Sequence, residues 1–154
     1  MRPRALKKAA AALLSALLLS ACATKKDTKI DRARVEARLQ EYAELTLKMD
    51  LAGLAAMYAP DGELVNPSQP PIRGRAAIQK FLEGFSGFQV LSVADVPGST
   101  LIDGDTSEQL GTYRQKVRSP EGRLFEVSGR LEIAWVKDPS GEWYISQLAT
   151  FPGP

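Results

Sequence analysis

The chain has 154 residues, 20 Lys+Arg against 18 Asp+Glu, no histidine and one cysteine, Cys22. Without histidine there can be no Ser-His-Asp or Cys-His triad, no histidine general base and no zinc site of the His-x-x-x-His kind. A single cysteine allows no internal disulfide, so stability must come from an apolar core, and about 125 ordered residues suffice for one.

The first residues carry Arg2, Arg4, Lys7 and Lys8 and no acid. A small and apolar stretch, Ala9 to Ala21, follows. As a helix it would span roughly 20 Å, short of the ~30 Å hydrocarbon core of a bilayer. A basic start, a short apolar middle and small residues before a cut describe a secretory signal peptide over 1–21. Removing its four bases leaves 16 against 18 acids, a net charge of −2. The basic balance therefore belongs to the leader, and no nucleic-acid partner is expected. Residues 22–30, with Lys25, Lys26 and Lys29, read as a polar tether.

From Asp31, which can cap a helix, the apolar positions Val35, Leu39, Tyr42, Leu45 and Met49 recur at helical spacing, and Glu44 and Lys48 form a favourable i,i+4 pair. Asp50 caps a second, shorter helix with Leu51, Leu54, Met57 and Tyr58 inward. Pro60-Asp61-Gly62 ends that helix. A short strand over Glu63 to Asn66 stops at Pro67, and Ser68-Gln69-Pro70-Pro71 is a loop. Gly74 precedes a third helix with Ile78, Phe81, Leu82 and Phe85 on one side. Beyond Gly87 the pattern is strands: Phe88 to Val96, Thr100 to Ile102, Thr106 to Arg118, Arg123 to Val136 and Glu142 to Thr150. Pro97-Gly98-Ser99, Asp103-Gly104-Asp105, Ser119 to Gly122 and Asp138 to Gly141 are the turns between them. Asp103 and Asp105 read as a hairpin turn, because the other ligands of a calcium loop are missing. No cofactor motif and no Gly-rich phosphate loop is present. Helices followed by an antiparallel meander make an α+β fold over 31–154.

Two resemblances follow from particular residues. Leu19-Ser20-Ala21-Cys22 resembles the lipobox of bacterial lipoprotein precursors. That implies cleavage before Cys22, lipidation of its thiol and attachment to a membrane, the outer one by the family rule for Ala23 after the cysteine. Leu54, Met57-Tyr58-Ala59, Asp61, Pro70-Pro71-Ile72-Arg73-Gly74-Arg75, Ile78 and Phe81, with the later Ser140-Gly141-Glu142-Trp143-Tyr144-Ile145, resemble the nuclear-transport-factor-2-like superfamily in its SnoaL-like and ketosteroid-isomerase branches. The resemblance implies a cystatin-like cone-shaped barrel of curved antiparallel sheet packed on N-terminal helices, enclosing a pocket.

Compared with the isomerase branch, Tyr42 stands for the oxyanion-hole tyrosine and Tyr58 for its supporting tyrosine. Asn66, before Pro67, falls where that branch has its general-base aspartate, and an amide cannot serve as that base. The branch's second acid falls nearest Glu132. Alternation opposes this, because Val127, Leu131, Ile133 and Trp135 take one face and Ser128, Arg130 and Glu132 the other. Asp61 is a second carboxylate candidate, in a turn that favours exposure. Alternation aims Tyr113 and Gln115 inward with Gly111 and Val117. Trp135 and Trp143 read as core, and Arg73 and Arg75 as solvated or paired with an acid. The expected pocket is thus Tyr42, Tyr58, Asn66, Tyr113 and Gln115, holding a small, mostly apolar molecule. Two other readings stay open: an isomerase, lyase or cyclase using Glu132 or Asp61, and a scaffold that forms a homodimer through the open sheet face.

Overall fold

The structure is a computed structural model that describes the backbone of residues 16–153 and the side chains of residues 28–153. The leader expected over 1–21 and the Cys22 side chain lie largely outside the described residues. No described helix is long and apolar enough to cross a membrane.

Helix α1 spans Ala16–Lys48. It begins well before Asp31, because no proline or glycine interrupts the run from Ala16 to Lys48. Asp31 is therefore not a cap. It is buried, and its carboxylate accepts from Lys137 Nζ at 2.9 Å and from Trp143 Nε1 at 3.3 Å. Lys137 also reaches Asp105 at 3.3 Å. The Asp31 contact, first, and then Asp105 hold the Lys137 ammonium above the usual lysine range. The middle of α1 is thus fixed to two hairpins of the sheet.

Met49, at φ 54, turns the chain out of α1. Asp50 then caps α2 (Leu51–Ala56), its side chain accepting from the Gly53 amide at 2.9 Å. The helix stops earlier than the apolar spacing suggests. Tyr58 opens strand β1 (Tyr58–Val65), and Pro60-Asp61-Gly62 falls in an irregularity of that strand instead of ending a helix. The short β2 (Ile72–Arg73) pairs with β1, and Arg73 meets Glu63 at 3.0 Å. Arg75, at the start of α3 (Arg75–Glu83), turns inward and donates from Nε and Nη2 to the Tyr58 carbonyl at 3.0 and 2.5 Å. Phe85 lies past the end of α3 and is exposed.

Four long strands follow: β3 (Gln89–Asp103), β4 (Thr106–Arg118), β5 (Leu124–Lys137) and β6 (Trp143–Pro152). Pro97-Gly98-Ser99 is no turn. The chain runs through it as one strand with two register shifts, at Val90/Ser92 and Pro97/Ser99. Proline is tolerated there because β3 is an edge strand.

The sheet order is β2-β1-β6-β5-β4-β3. It is mixed, since β1 runs parallel to β6 while the other pairs are antiparallel. It is also unclosed, with β2 and β3 as edges, so helices close the cone that a barrel would close with strands. One end of the concave face is packed solid by Val35, Leu39, Met57, Tyr58, Ile78, Trp135, Trp143 and Ile145. Buried Gln109 satisfies the Trp135 indole at 3.2 Å and donates to Thr100 at 3.3 Å. The core thus fills one end of the cone and leaves the other open.

Candidate functional site

The open end of the cone is a cavity of about 410 Å³, within the size range of small-molecule sites. Most of its wall is apolar. Leu54, Leu64, Leu131 and Leu148 form the deep part, while Phe81, Phe85, Phe88 and Phe125 form an aromatic run. These four rings meet edge to face, with centroids 5.4, 6.0 and 6.4 Å apart.

Of the five expected pocket residues, Tyr42, Asn66, Tyr113 and Gln115 line this cavity. Tyr58 does not. As the first residue of β1 it is 1% exposed and sits behind Tyr42, to which its hydroxyl is hydrogen-bonded. Burial pushes the Tyr42 hydroxyl up to about 12, against the Tyr58 hydrogen bond and with a smaller push from the negative Asp95. Burial and then the Tyr42 hydroxyl push Tyr58 up as well. Both are therefore neutral donors across the physiological range. Asn66 accepts from Thr150 Oγ1 at 3.2 Å, which leaves its amide nitrogen to the cavity.

Neither expected carboxylate belongs to the site. Glu132 is exposed on the outer face of β5, opposite Leu110 and Ala149, because strict alternation holds from Leu131 through Ile133. Asp61 is exposed in the irregular part of β1.

The carboxylate in the cavity is Asp95, on β3. It pairs across the sheet with Tyr113, which pairs in turn with Gly129 on β5. A Cβ at Gly129 would stand 2.1 Å from the Phe151 carbonyl oxygen, so this row of the sheet requires a glycine. Asp95 Oδ1 is buried and has no hydrogen-bond partner among the described residues. Burial pushes the carboxyl from 3.8 up to about 6. A group titrating there is ionised at neutral pH yet basic enough to accept a proton. The polar end of the cavity thus combines one acceptor, Asp95, with the Tyr42, Tyr113, Asn66 and Gln115 donors. Among the described residues no cluster of His, Cys, Asp and Glu could hold a metal ion.

This fold and pocket belong to a class of small α+β cones that enclose small molecules. Residues 39–138 match the SnoaL-like domain, and the chain belongs to that family. A steroid Delta-isomerase of Nocardioides simplex is 29% identical over 104 residues, which cover 64% of this chain and 85% of that protein. A ketosteroid isomerase-like protein from Erwinia carotovora atroseptica superimposes with a TM-score of 0.72 at 17% identity, covering 79% of this chain and 96% of its own. A conserved protein from Planctomyces limnophilus gives a TM-score of 0.73 at 18% identity, covering 81% and 99%. At such identities the structural likenesses speak for the fold alone.

Proposed function

We propose that the chain is a membrane-anchored lipoprotein whose SnoaL-like domain holds a small, mostly apolar molecule in the interior pocket. The observation that carries the binding reading is the 410 Å³ cavity, with apolar walls and a few polar groups gathered at one end. The apolar body of a ligand would lie against the phenylalanines and its polar group near Tyr42 and Asp95. The anchor rests on Leu19-Ser20-Ala21-Cys22 at the end of a short apolar run. Several acyl chains on one cysteine give durable attachment where one chain gives little. With Ala23 after the cysteine, the outer membrane is the expected destination. Cys22→Ser should abolish incorporation of labelled palmitate and release the protein from the detergent phase. A variant that stays labelled and membrane-bound would exclude this mode of attachment.

One observation favours a second reading, an isomerase-type enzyme. Asp95 lies beside the Tyr42 hydroxyl and has a proton affinity suited to a base near neutral pH, and a curated relative is a steroid Delta-isomerase. The two readings separate in a paired experiment with polycyclic phenols and a β,γ-unsaturated ketone. The binding reading expects saturable phenol binding and no measurable shift of the double bond. Turnover that Asp95→Asn lowers by about 10²–10⁴-fold, the usual worth of a general base, would establish the enzyme instead. If neither a phenol nor an aromatic amine or alcohol saturates the protein, the pocket reading fails.

A further inference from the structure

The cavity wall is electrically one-sided. Its lining includes no lysine or arginine, and Asp95 is its one charged residue. The charged and titratable neighbours nearest the carboxylate are Tyr42 on α1 and Tyr113 on β4, and both hydroxyls are held neutral by burial. Arginines on the two adjoining elements are directed elsewhere. Arg32 of α1 donates to the Thr100 carbonyl. Arg38 binds the Trp143 carbonyl at 3.0 Å and Glu41 at 2.5 Å. Arg114 of β4, one residue from Tyr113, is exposed on the outer face. Among the described residues the carboxylate therefore has no counter-ion, and its Oδ1 has no donor.

Such a group is costly unless something supplies the missing donor. An anionic ligand would add repulsion, and a neutral hydroxyl would satisfy the oxygen without compensating its charge. A cation does both. The rest of the wall also suits a cation with an apolar body. Tyr42 and Tyr113 line the cavity together with Asp95, and the four phenylalanines continue the lining, aromatic surface of the kind that attracts a cation. Phe125 belongs to the cross-strand row of Val90, five residues along β3 from Asp95. Along the regular strands β4 and β5 the same two rows are four residues apart, so at about 3.3 Å per residue roughly 13 Å of strand separates the two ends, before side chains reach inward.

We infer that the pocket's ligand is a lipophilic amine, its ammonium paired with the Asp95 carboxylate and its apolar body extending along the phenylalanine run. The inference rests on the binding reading above and specifies the ligand's charge.

Three compounds of matched shape test it: 4-phenylbutylamine, 4-phenylbutanol and 4-phenylbutyrate, titrated calorimetrically at pH 7.5 into the domain and into Asp95→Asn. The expected order is amine, alcohol, carboxylate, with the amine at least tenfold tighter than the alcohol. In Asp95→Asn the ratio of amine to alcohol affinity should fall to about one, in a protein whose cooperative unfolding shows it is folded. An amine no tighter than the alcohol in the wild type overturns the inference while leaving the binding reading intact. An amine preference that survives Asp95→Asn overturns it too, since the charge recognised would then lie elsewhere. Binding of none of the three would remove the reading beneath it as well.

Discussion

Asp31→Ala is expected to cost about 2–3 kcal/mol of folding stability, the upper part of the range for hydrogen bonds to a charged group, because Lys137 keeps Asp105 as a partner. Asp31 is 5% exposed, and the Lys137 side chain it pairs with is 18% exposed. The substitution leaves Lys137 with the exposed Asp105 and strips the Trp143 indole of its acceptor. Both losses act where α1 meets the sheet. Asp31→Asn should cost less, because the amide oxygen still accepts from Trp143. Pairing Asp31→Leu with Lys137→Met should recover much of the loss, as apolar pairs of similar volume often replace buried ion pairs. Urea unfolding of the four proteins at pH 7.5 measures this. An Asp31→Ala domain within about 0.5 kcal/mol of wild type would show that the contact contributes nothing to stability.

Asp95→Asn should act in the opposite direction and stabilise the domain at neutral pH. A carboxyl raised from 3.8 to about 6 binds its proton more tightly folded than unfolded. Wild-type stability contributed by this group is therefore highest below about pH 4 and falls as pH rises to about 6. The full shift corresponds to about 3 kcal/mol, and solvent screening of a partly exposed group reduces it to about 1–2 kcal/mol. The asparagine variant should thus exceed wild type by that amount at pH 7.5. The difference should shrink toward zero at pH 4. Comparing variant with wild type at each pH cancels the other carboxylates. A difference independent of pH would assign the effect to packing. A site residue that lowers stability when intact is the signature expected of a group kept for binding or chemistry.

The same residue marks where sequence reading stopped. Helical spacing located α1 and α3, and alternation along Thr106 to Arg118 aimed Tyr113 and Gln115 inward, because that strand contains no irregularity. Alternation along β3 misleads. Counting from Phe88 and Val90 puts Ser92 and Ala94 inside and Asp95 outside. The register shift between Val90 and Ser92 inserts one residue and reverses the faces from there to the second shift at Pro97/Ser99. The available signal was compositional: one carboxylate in the apolar run Val90 to Val96. Comparison with the isomerase branch drew attention to Asn66, Glu132 and Asp61, and a carboxylate on a different strand was invisible to it. Met57 and Tyr58 continue the apolar spacing of Leu51 and Leu54, which points to helix at Tyr58. Pairing with Ile145 on β6, far along the chain, draws it into a strand.

The parallel pairing of β1 with β6 also governs how the molecule can assemble. Tyr58 waits for Ile145, and Asp31 waits for Trp143, partners separated by 87 and 112 positions. Closing such loops comes before any reward from the contact, so chains dominated by distant pairings fold slowly. During synthesis the helices and β1 emerge long before β6, which joins β1 to β5 in the middle of the sheet. Until β6 is free of the ribosome, β2-β1 and β5-β4-β3 are two unconnected parts of the sheet. A sheet that stays unfinished until β6 is made leaves the chain before it threadable for that interval.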